Sequence, residues 1–376
     1  MASWSSTGNC HIAVTQTSAI TLQDGRVLKI GGVPLGFGDT NVCELYDPVT
    51  GIWTLTGSLN QARCSSLATV LANGKVLLFG GGSMGGAYPV YTSTELYDPS
   101  TGIWTLTGSM AQGRIFGGGW HLADDRVLIA GGAAAGLDMG FSGASQATSE
   151  IYDPVAGTWS STGPLNAVRQ CFGFALSGNV PVAIGGCGTT APALTSTETF
   201  DINTLTWTTK AACSVAGTFN DGFNNAVTLQ DGKILLASGR TAYYDVAAVT
   251  GNCAVYDVGT DSWSTVGSLL LSRIEGQLWI LQSGKVLMMG GAANNDTIKL
   301  TECELYDPSL QTWSVTAPAP EQKDAIYTDI GPLLSNGKAI LVSGFGQFIP
   351  VLSTQLFDPT GVGPSAKQKA STFLVF

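Results

Sequence analysis

Histidine is almost missing from this chain: His11 and His121 are its only two. A three-histidine zinc site is therefore impossible, and acid–base chemistry would have to rest on other groups. Charge is also sparse, at 12% of residues, with 17 basic against 27 acidic side chains and a net charge of −10. Nucleic acid and anionic membrane surfaces call for a dense basic footprint, so neither is expected as a partner. No apolar run reaches the ~18 residues of a spanning helix, so membrane insertion is not expected. Met1-Ala2-Ser3-Trp4 lacks the charged start and apolar core of a signal peptide. No C-x-x-C pair occurs, which argues against structural zinc, and no metal or cofactor is expected. Sustained helical periodicity is absent too.

What the chain does have is a repeat. An aromatic residue is followed seven positions later by tryptophan at Tyr46/Trp53, Tyr97/Trp104, Tyr152/Trp159, Phe200/Trp207, Tyr256/Trp263 and Tyr306/Trp313. A seventh aromatic, Phe357, has no such partner, but Trp4 is followed by Ser5-Ser6-Thr7-Gly8, which copies Ser160-Ser161-Thr162-Gly163 after Trp159. The broken seventh unit is thus read as completed by the other end of the chain. A fixed spacing inside units of roughly 50 residues means an array of one small unit, and this pairing closes it into a ring.

Each unit holds an apolar, β-branched run ending at a small-residue pair, as in Lys75-Val76-Leu77-Leu78-Phe79 before Gly80-Gly81. Such short runs, bounded by turn residues, read as buried strands. Asp24-Gly25, Asn73-Gly74 and their relatives upstream write one hairpin, and Asp47-Pro48-Val49-Thr50-Gly51 with its relatives writes a second. Four strands per unit follow. Glycine inside a strand weakens it unless another group approaches its backbone, and the repeat tyrosine and tryptophan are the candidates for that approach.

The glycine doublet, the Tyr-Asp-Pro and the tryptophan seven residues on together resemble the Kelch repeat across all seven units. The resemblance implies an all-β fold: a seven-bladed β-propeller of four-stranded antiparallel blades, closed by the N-terminal strand. Residues 1–376 are then one domain. Its blades are approximately 9–57, 58–108, 109–163, 164–211, 212–267, 268–317 and 318–360, with 3–8 as closing strand and 361–376 as a C-terminal tail. WD40 repeats are disfavoured because no Trp-Asp dipeptide occurs, and the sialidase Asp box because the glycine after Asp153 is two residues too late.

Loop lengths indicate the functional rim. The aromatic-to-tryptophan distance is always seven, whereas the distance from doublet to aromatic varies between 14 and 21 and that from tryptophan to the next doublet between 26 and 31. Variation is concentrated on one rim, where loops on a rigid scaffold carry recognition. Asp138 and Phe141 lie in the longest of these loops, others carry Tyr88 with Tyr91, Tyr243 with Tyr244 and Asp245, and Phe345 with Phe348. Rings beside carboxylates suit a sugar or peptide, although a ring can equally pin a long loop to its neighbour.

Arg63, Arg114 and Arg273 stand 17 residues before the doublet and Arg169 stands 16 before it; Asp221 holds the matching place in blade five and Val14 in blade one. The family resemblance puts these positions at the channel mouth. Four arginines there would suit a planar anion or an acidic peptide, or would instead bond loop carbonyls between blades.

Catalytic patterns are weak. A copper site like that of galactose oxidase, whose propeller this one resembles, needs more histidine than His11 alone can supply once His121 is packed in an inner strand. Gly81-Gly82-Ser83-Met84-Gly85 matches the nucleophile-elbow pattern but has no strand-to-helix setting. Asp39, Asp138, Asp221, Asp245 and Glu275 could supply an acid/base pair, and some Kelch propellers are sugar epimerases. Eight cysteines invite disulfides, yet Cys43, Cys253 and Cys303 occupy one repeat slot, three residues before the tyrosine, where other units have Thr94 and Ser149. That slot is small and buried, and equivalent slots are farther apart than the ~7 Å a disulfide allows. Free thiols are expected, with Cys187 and Cys213 the one pair whose loops could meet.

The resulting expectation is a non-catalytic module binding a protein or glycan ligand on the loop-rich rim through Arg63, Arg114, Arg169, Arg273, Asp221, Asp138, Phe141, Tyr243, Tyr244 and Phe348. The low lysine content, with abundant Gly, Ser and Thr, resembles extracellular or virion-surface proteins. The alternatives are a sugar-modifying, epimerase- or mutarotase-like enzyme and a structural subunit meeting an assembly partner through apolar outer strands.

Overall fold

A computed structural model describes residues 2–36, 38–84, 89–134, 145–188, 193–215, 225–241, 249–293, 298–320, 332–342, 345–346, 349–350 and 352–359. Its regular elements are all strands, and they form seven antiparallel blades around a ring. In the first blade the order from the channel outward is Ser18–Thr21, Val27–Ile30, Cys43–Asp47 and Ile52–Leu55. Five further blades repeat this four-strand order. The second strand is wholly buried in blades two and three, at Val76–Phe79 and Val127–Ala130, which explains the unbroken apolar runs there.

The seventh blade is closed by the chain's beginning. Ser3–Thr7 pairs antiparallel with Thr354–Asp358, which pairs in turn with Ala339–Val342. Trp4 lies opposite Phe357, the register that Tyr46 and Trp53 have in the first blade. Their rings are 5.2 Å apart, against 5.1 Å for Tyr46 and Trp53. Residues 321–331 lie outside the described residues.

The repeat residues hold the seams between blades. The repeat tryptophan points its indole N–H at the slot residue of the blade before it. Trp53 donates to Thr354 at 3.1 Å, Trp159 to Thr94 at 3.3 Å, Trp207 to Ser149 at 3.2 Å and Trp263 to Thr197 at 3.2 Å. In the remaining three seams Trp104, Trp313 and Trp4 face the sulfurs of Cys43, Cys253 and Cys303. Sulfur is the weaker acceptor, and Trp4 adds a 3.0 Å bond to the carbonyl of Ala317. Burial pushes these three thiols up to about 12, so they stay protonated at neutral pH. All eight cysteines are free and buried, Cys187 and Cys213 included.

The tyrosine serves the same seams at the outer circumference. Tyr46 hydroxyl shares a 2.8 Å hydrogen bond with Thr7, Tyr97 one of 2.7 Å with Thr56, and Tyr152 one of 2.8 Å with Thr107. Beside each, a glycine N–H donates to a turn carbonyl of the next blade: Gly8 to Gly51, Gly57 to Gly102 and Gly108 to Gly157.

The doublet differs from its expectation. The group that crowds it is backbone from the next blade, not the aromatics: a Cβ on Gly31 would meet the carbonyl oxygen of Arg63 at 2.5 Å, and one on Gly131 that of Arg169 at 2.7 Å. Both glycines also take positive φ, 58° and 65°, which a side chain disfavours. The second glycine then donates to the same carbonyl, Gly32 to Arg63 and Gly132 to Arg169. In blade five Ser238 takes the first position at φ 72°, and its hydroxyl donates to the carbonyl of Arg273.

Candidate functional site

The start of each inner strand bears the residues that the sequence singles out, and there the structure corrects the expected role of the arginines. Arg63, Arg114, Arg169 and Arg273 are no more than 1% exposed. Each guanidinium is spent inside its own blade. Arg114 donates to the carbonyls of Gly131 and Thr148, both at 2.8 Å, and to Glu150 at 2.9 Å. Arg63 reaches Glu95 at 3.2 Å, Arg169 reaches Glu198 at 2.5 Å and Arg273 reaches Glu304 at 2.7 Å. Of the two roles open to these arginines, the geometry is the bonding of carbonyls, within a blade rather than between blades, and a ligand on the rim does not meet them. Burial lowers their pKa, partly countered by the facing glutamates.

The glutamates complete a clamp that the sequence reading missed. Besides the guanidinium, each accepts two consecutive backbone N–H groups from the loop leading into its blade: Glu95 from Asn60 and Gln61, Glu150 from Ala111 and Gln112, and Glu304 from Leu270 and Leu271. The signal was present, since a glutamate stands two residues before the repeat aromatic in every blade that has the arginine. Blade five, with Asp221 in place of arginine, has Ala254 in place of glutamate.

Blade one solves the same problem differently. Val14 leaves no guanidinium, and Lys29, from the second strand, places Nζ 2.9 Å from Glu44 and 2.5 Å from the carbonyl of Ile12. Glu44 also accepts the backbone N–H groups of His11 and Ile12 and lies 2.9 Å from His11 Nδ1. Burial raises the pKa of Glu44, but Lys29 and the His11 hydrogen bonds outweigh it and hold the carboxyl below its ordinary range. His11 is therefore tied to the clamp.

The other expected site residues, Asp138, Phe141, Asp221, Tyr243, Tyr244 and Phe348, lie outside the described residues, as do Tyr88 and Asp245. Tyr91 is described: its ring covers the Arg63 guanidinium at 5.4 Å, so this ring pins its loop. Asp39 accepts the backbone N–H of Met84 at 3.0 Å, tying the first blade's loop to the second's. Glu275 is buried. His121, expected in the packed core, is only half-buried and lies 2.7 Å from Asp125 at the hairpin end of its strand. The nucleophile-elbow pattern follows Val76–Phe79, and Ser83 donates its N–H to the carbonyl of Pro89 in a loop. Among the described residues no group of three or more His, Cys, Asp or Glu is placed to hold a metal.

Comparison with known proteins agrees with this architecture. No protein-family profile matches the chain. Kelch-like protein 25 of Xenopus tropicalis is 23% identical over 242 residues, covering 64% of this chain, which spans 38% of that protein's length. A copper-bound fungal alcohol oxidase of the AA5 family superposes over 97% of this chain and 79% of its own, with a TM-score of 0.73 and 17% identity. The structure of YjhT covers 82% of this chain and 99% of its own, with a TM-score of 0.62 and 15% identity. The copper of the oxidase has no matching donor set in the described residues, where the two histidines belong to different blades and each faces a carboxylate. Seven closed blades make this chain a β-propeller, and its doublet and tyrosine–tryptophan seam are similar to those of Kelch repeats.

Proposed function

We propose that this propeller is a recognition module that binds a glycan or a peptide on the loop-rich rim, in an extracellular or virion-surface setting. The observation that carries the reading is the concentration of length variation in the loops of one rim, against an invariant seven-residue spacing from aromatic to tryptophan. Kelch-type propellers are in general interaction modules, and one curated protein similar to this chain is a Kelch-like protein.

The buried clamps sharpen the ligand. With four guanidiniums neutralised by glutamates inside the blades, the rim residues left to meet a partner are Asp138, Phe141, Asp221, Tyr243, Tyr244 and Phe348. Aromatic faces beside carboxylates stack on sugar rings or apolar side chains and accept hydrogen bonds from hydroxyls, amides or cations. They repel phosphates and acidic peptides. The favoured ligand is therefore a neutral glycan or an uncharged to basic peptide.

A glycan array and a peptide array, each probed with wild type and with Tyr243→Ala/Tyr244→Ala, test the reading. Binding to a neutral glycan or basic peptide that drops about tenfold or more in the variant supports it, a loss typical of a central aromatic contact. Absence of binding on both arrays removes it. Binding only to acidic ligands would remove the charge argument.

A further inference from the structure

One seam of the ring is built differently from the others, and nothing about it depends on what the rim binds. At the outer circumference five seams carry a backbone link: the N–H groups of Gly8, Gly57, Gly108, Gly163 and Gly267 donate to the turn carbonyls of Gly51, Gly102, Gly157, Leu205 and Gln311 in the next blade. Glycine is needed there, because a Cβ on any of the five would fall between 2.0 and 2.9 Å from that carbonyl oxygen. Between blades four and five the residue is Ala211. Its N–H donates instead to a side chain, Oδ1 of Asp261 in the turn of blade five, at 2.9 Å. The corresponding turn of blade seven lies beyond residue 359, outside the described residues.

The tyrosine of this seam is rerouted as well. In three seams the repeat tyrosine crosses to the threonine just before the glycine, Tyr46 to Thr7, Tyr97 to Thr56 and Tyr152 to Thr107. Here Lys210 stands in that place, and the Tyr256 hydroxyl turns back within blade five and donates to the same Asp261 Oδ1 at 2.7 Å. Links that are neutral elsewhere are thus replaced by one exposed carboxylate that bonds Ala211 and attracts Lys210 across the seam. The loop that follows has no glutamate to hold it, since blade five has Ala254 at the clamp position. Trp263 still crosses, with its indole N–H 3.2 Å from Thr197 and 3.1 Å from the carbonyl of Ala211, and neither bond titrates.

We propose that the seam between blades four and five is an acid-operated release in the ring: when Asp261 takes up a proton, the outer strand Thr206–Lys210 of blade four loosens from blade five while the glycine-built seams hold. A neutral carboxyl accepts hydrogen bonds about half as strongly as a carboxylate, and it no longer attracts the Lys210 ammonium. The charged groups around Tyr256 and Asp261 are Lys210 from blade four and Asp257 on their own blade, the latter 3.5 Å from Lys233. Tyr256 keeps its proton throughout, because burial and the facing Asp261 both raise its pKa. The Ala211 N–H, the Tyr256 hydroxyl and Lys210 hold the Asp261 carboxyl below its ordinary range. The link is therefore complete above the unfolded carboxylate pKa of about 3.9 and fades as pH falls through the lower folded value.

Amide hydrogen exchange of the full chain, corrected for the intrinsic effect of pH, tests the inference at about pH 6.5 and about pH 3, on either side of the carboxylate range. Segment 206–212 reports the seam, and segment 158–164, with the glycine link of Gly163, is the internal control. Wild type is compared with Asp261→Asn, which keeps the acceptor without its charge, and with Ala211→Gly/Asp261→Gly, which copies the link of Gly57 to Gly102. Thermal melts at both pH values establish that each is folded. In wild type, acid is expected to lower the protection of 206–212 about tenfold more than that of 158–164, the scale of weakening a hydrogen bond to a charged group. Asp261→Asn should show the reduced protection already at the higher pH, and the glycine pair should show no excess loss. Equal losses in the two wild-type segments overturn the proposal. So does an Asp261→Asn variant that behaves as wild type at both pH values, or an excess loss that persists in the glycine pair.

Discussion

Blades two, three, four and six hold their leading loops with a buried arginine–glutamate clamp, whereas blades one, five and seven do not. In blade one a lysine from another strand faces the glutamate. Blade five has lost both partners together, at Asp221 and Ala254, and blade seven has Ile326 and Gln355 where the others have arginine and glutamate. Neither charge persists without a counterpart. This is the expected outcome when an isolated buried charge costs far more than the pair is worth. The comparison also separates local from ring-wide stability: a clamp fixes a loop within one blade, while the repeat tryptophans and tyrosines reach from one blade to the next.

The largest way to break that division is at the ring. Removing residues 1–8 takes away Trp4, its bonds to blade six and the Thr7–Tyr46 link to blade one, and opens strand edges on the last blade. A loss of at least about 3 kcal/mol is expected, on the scale of deleting one large aromatic side chain, read as a lower urea midpoint for the whole ring. An unchanged midpoint would transfer the closing role to the tail, residues 365–376.

Breaking one clamp should cost about as much, but only if it is broken unevenly. Glu150→Ala leaves Arg114 buried without its carboxylate and is expected to destabilise by about 3–5 kcal/mol. The double change Arg114→Met/Glu150→Leu removes both charges, as blade five does, and should recover most of that loss. A double variant no more stable than Glu150→Ala would contradict the reading of Ala254 as a paired loss.

The smallest effect concerns the substituted clamp of blade one. The carboxyl of Glu44 is held below its ordinary range, so its contribution is complete above the unfolded carboxylate pKa of about 4.3 and fades as pH falls through the lower folded value. In Lys29→Met the burial cost stands with less opposition and the folded pKa rises, so acid should destabilise the variant from a higher pH than wild type. Urea titrations between neutral pH and acid would show the two curves separating, and superimposable curves would exclude the effect.

The fold was legible because its signals repeat. A spacing of seven seen six times, with Trp4 supplying the last tryptophan, fixed strand number, blade number and closure. The role of the arginines was not, because a residue at the start of an inner strand has the same spacing whether it meets a ligand or turns inward. What distinguishes the cases is the glutamate two residues before the aromatic, visible only when arginine and glutamate are compared unit by unit. The doublet misled in a related way: tyrosine and tryptophan were its nearest conspicuous neighbours in sequence, while the group pressing on it is a carbonyl, which every residue has. Asp138, Phe141, Tyr243, Tyr244 and Phe348 sit where the repeat is interrupted, and an interrupted repeat offers no periodicity from which to infer geometry.

The pairing of Ser3–Thr7 with Thr354–Asp358 also orders events in time. A chain made from its N-terminus at about 5–20 residues per second completes the closing strand some tens of seconds before the strand it pairs with. Throughout that interval Trp4 has no Phe357 to pack against, and the outer strand Ser3–Thr7 has no last blade to join. Six seams can form as synthesis proceeds, each between blades adjacent in sequence; the seventh waits until Thr354–Asp358 has emerged, and until then the growing protein is an open arc with two unguarded ends.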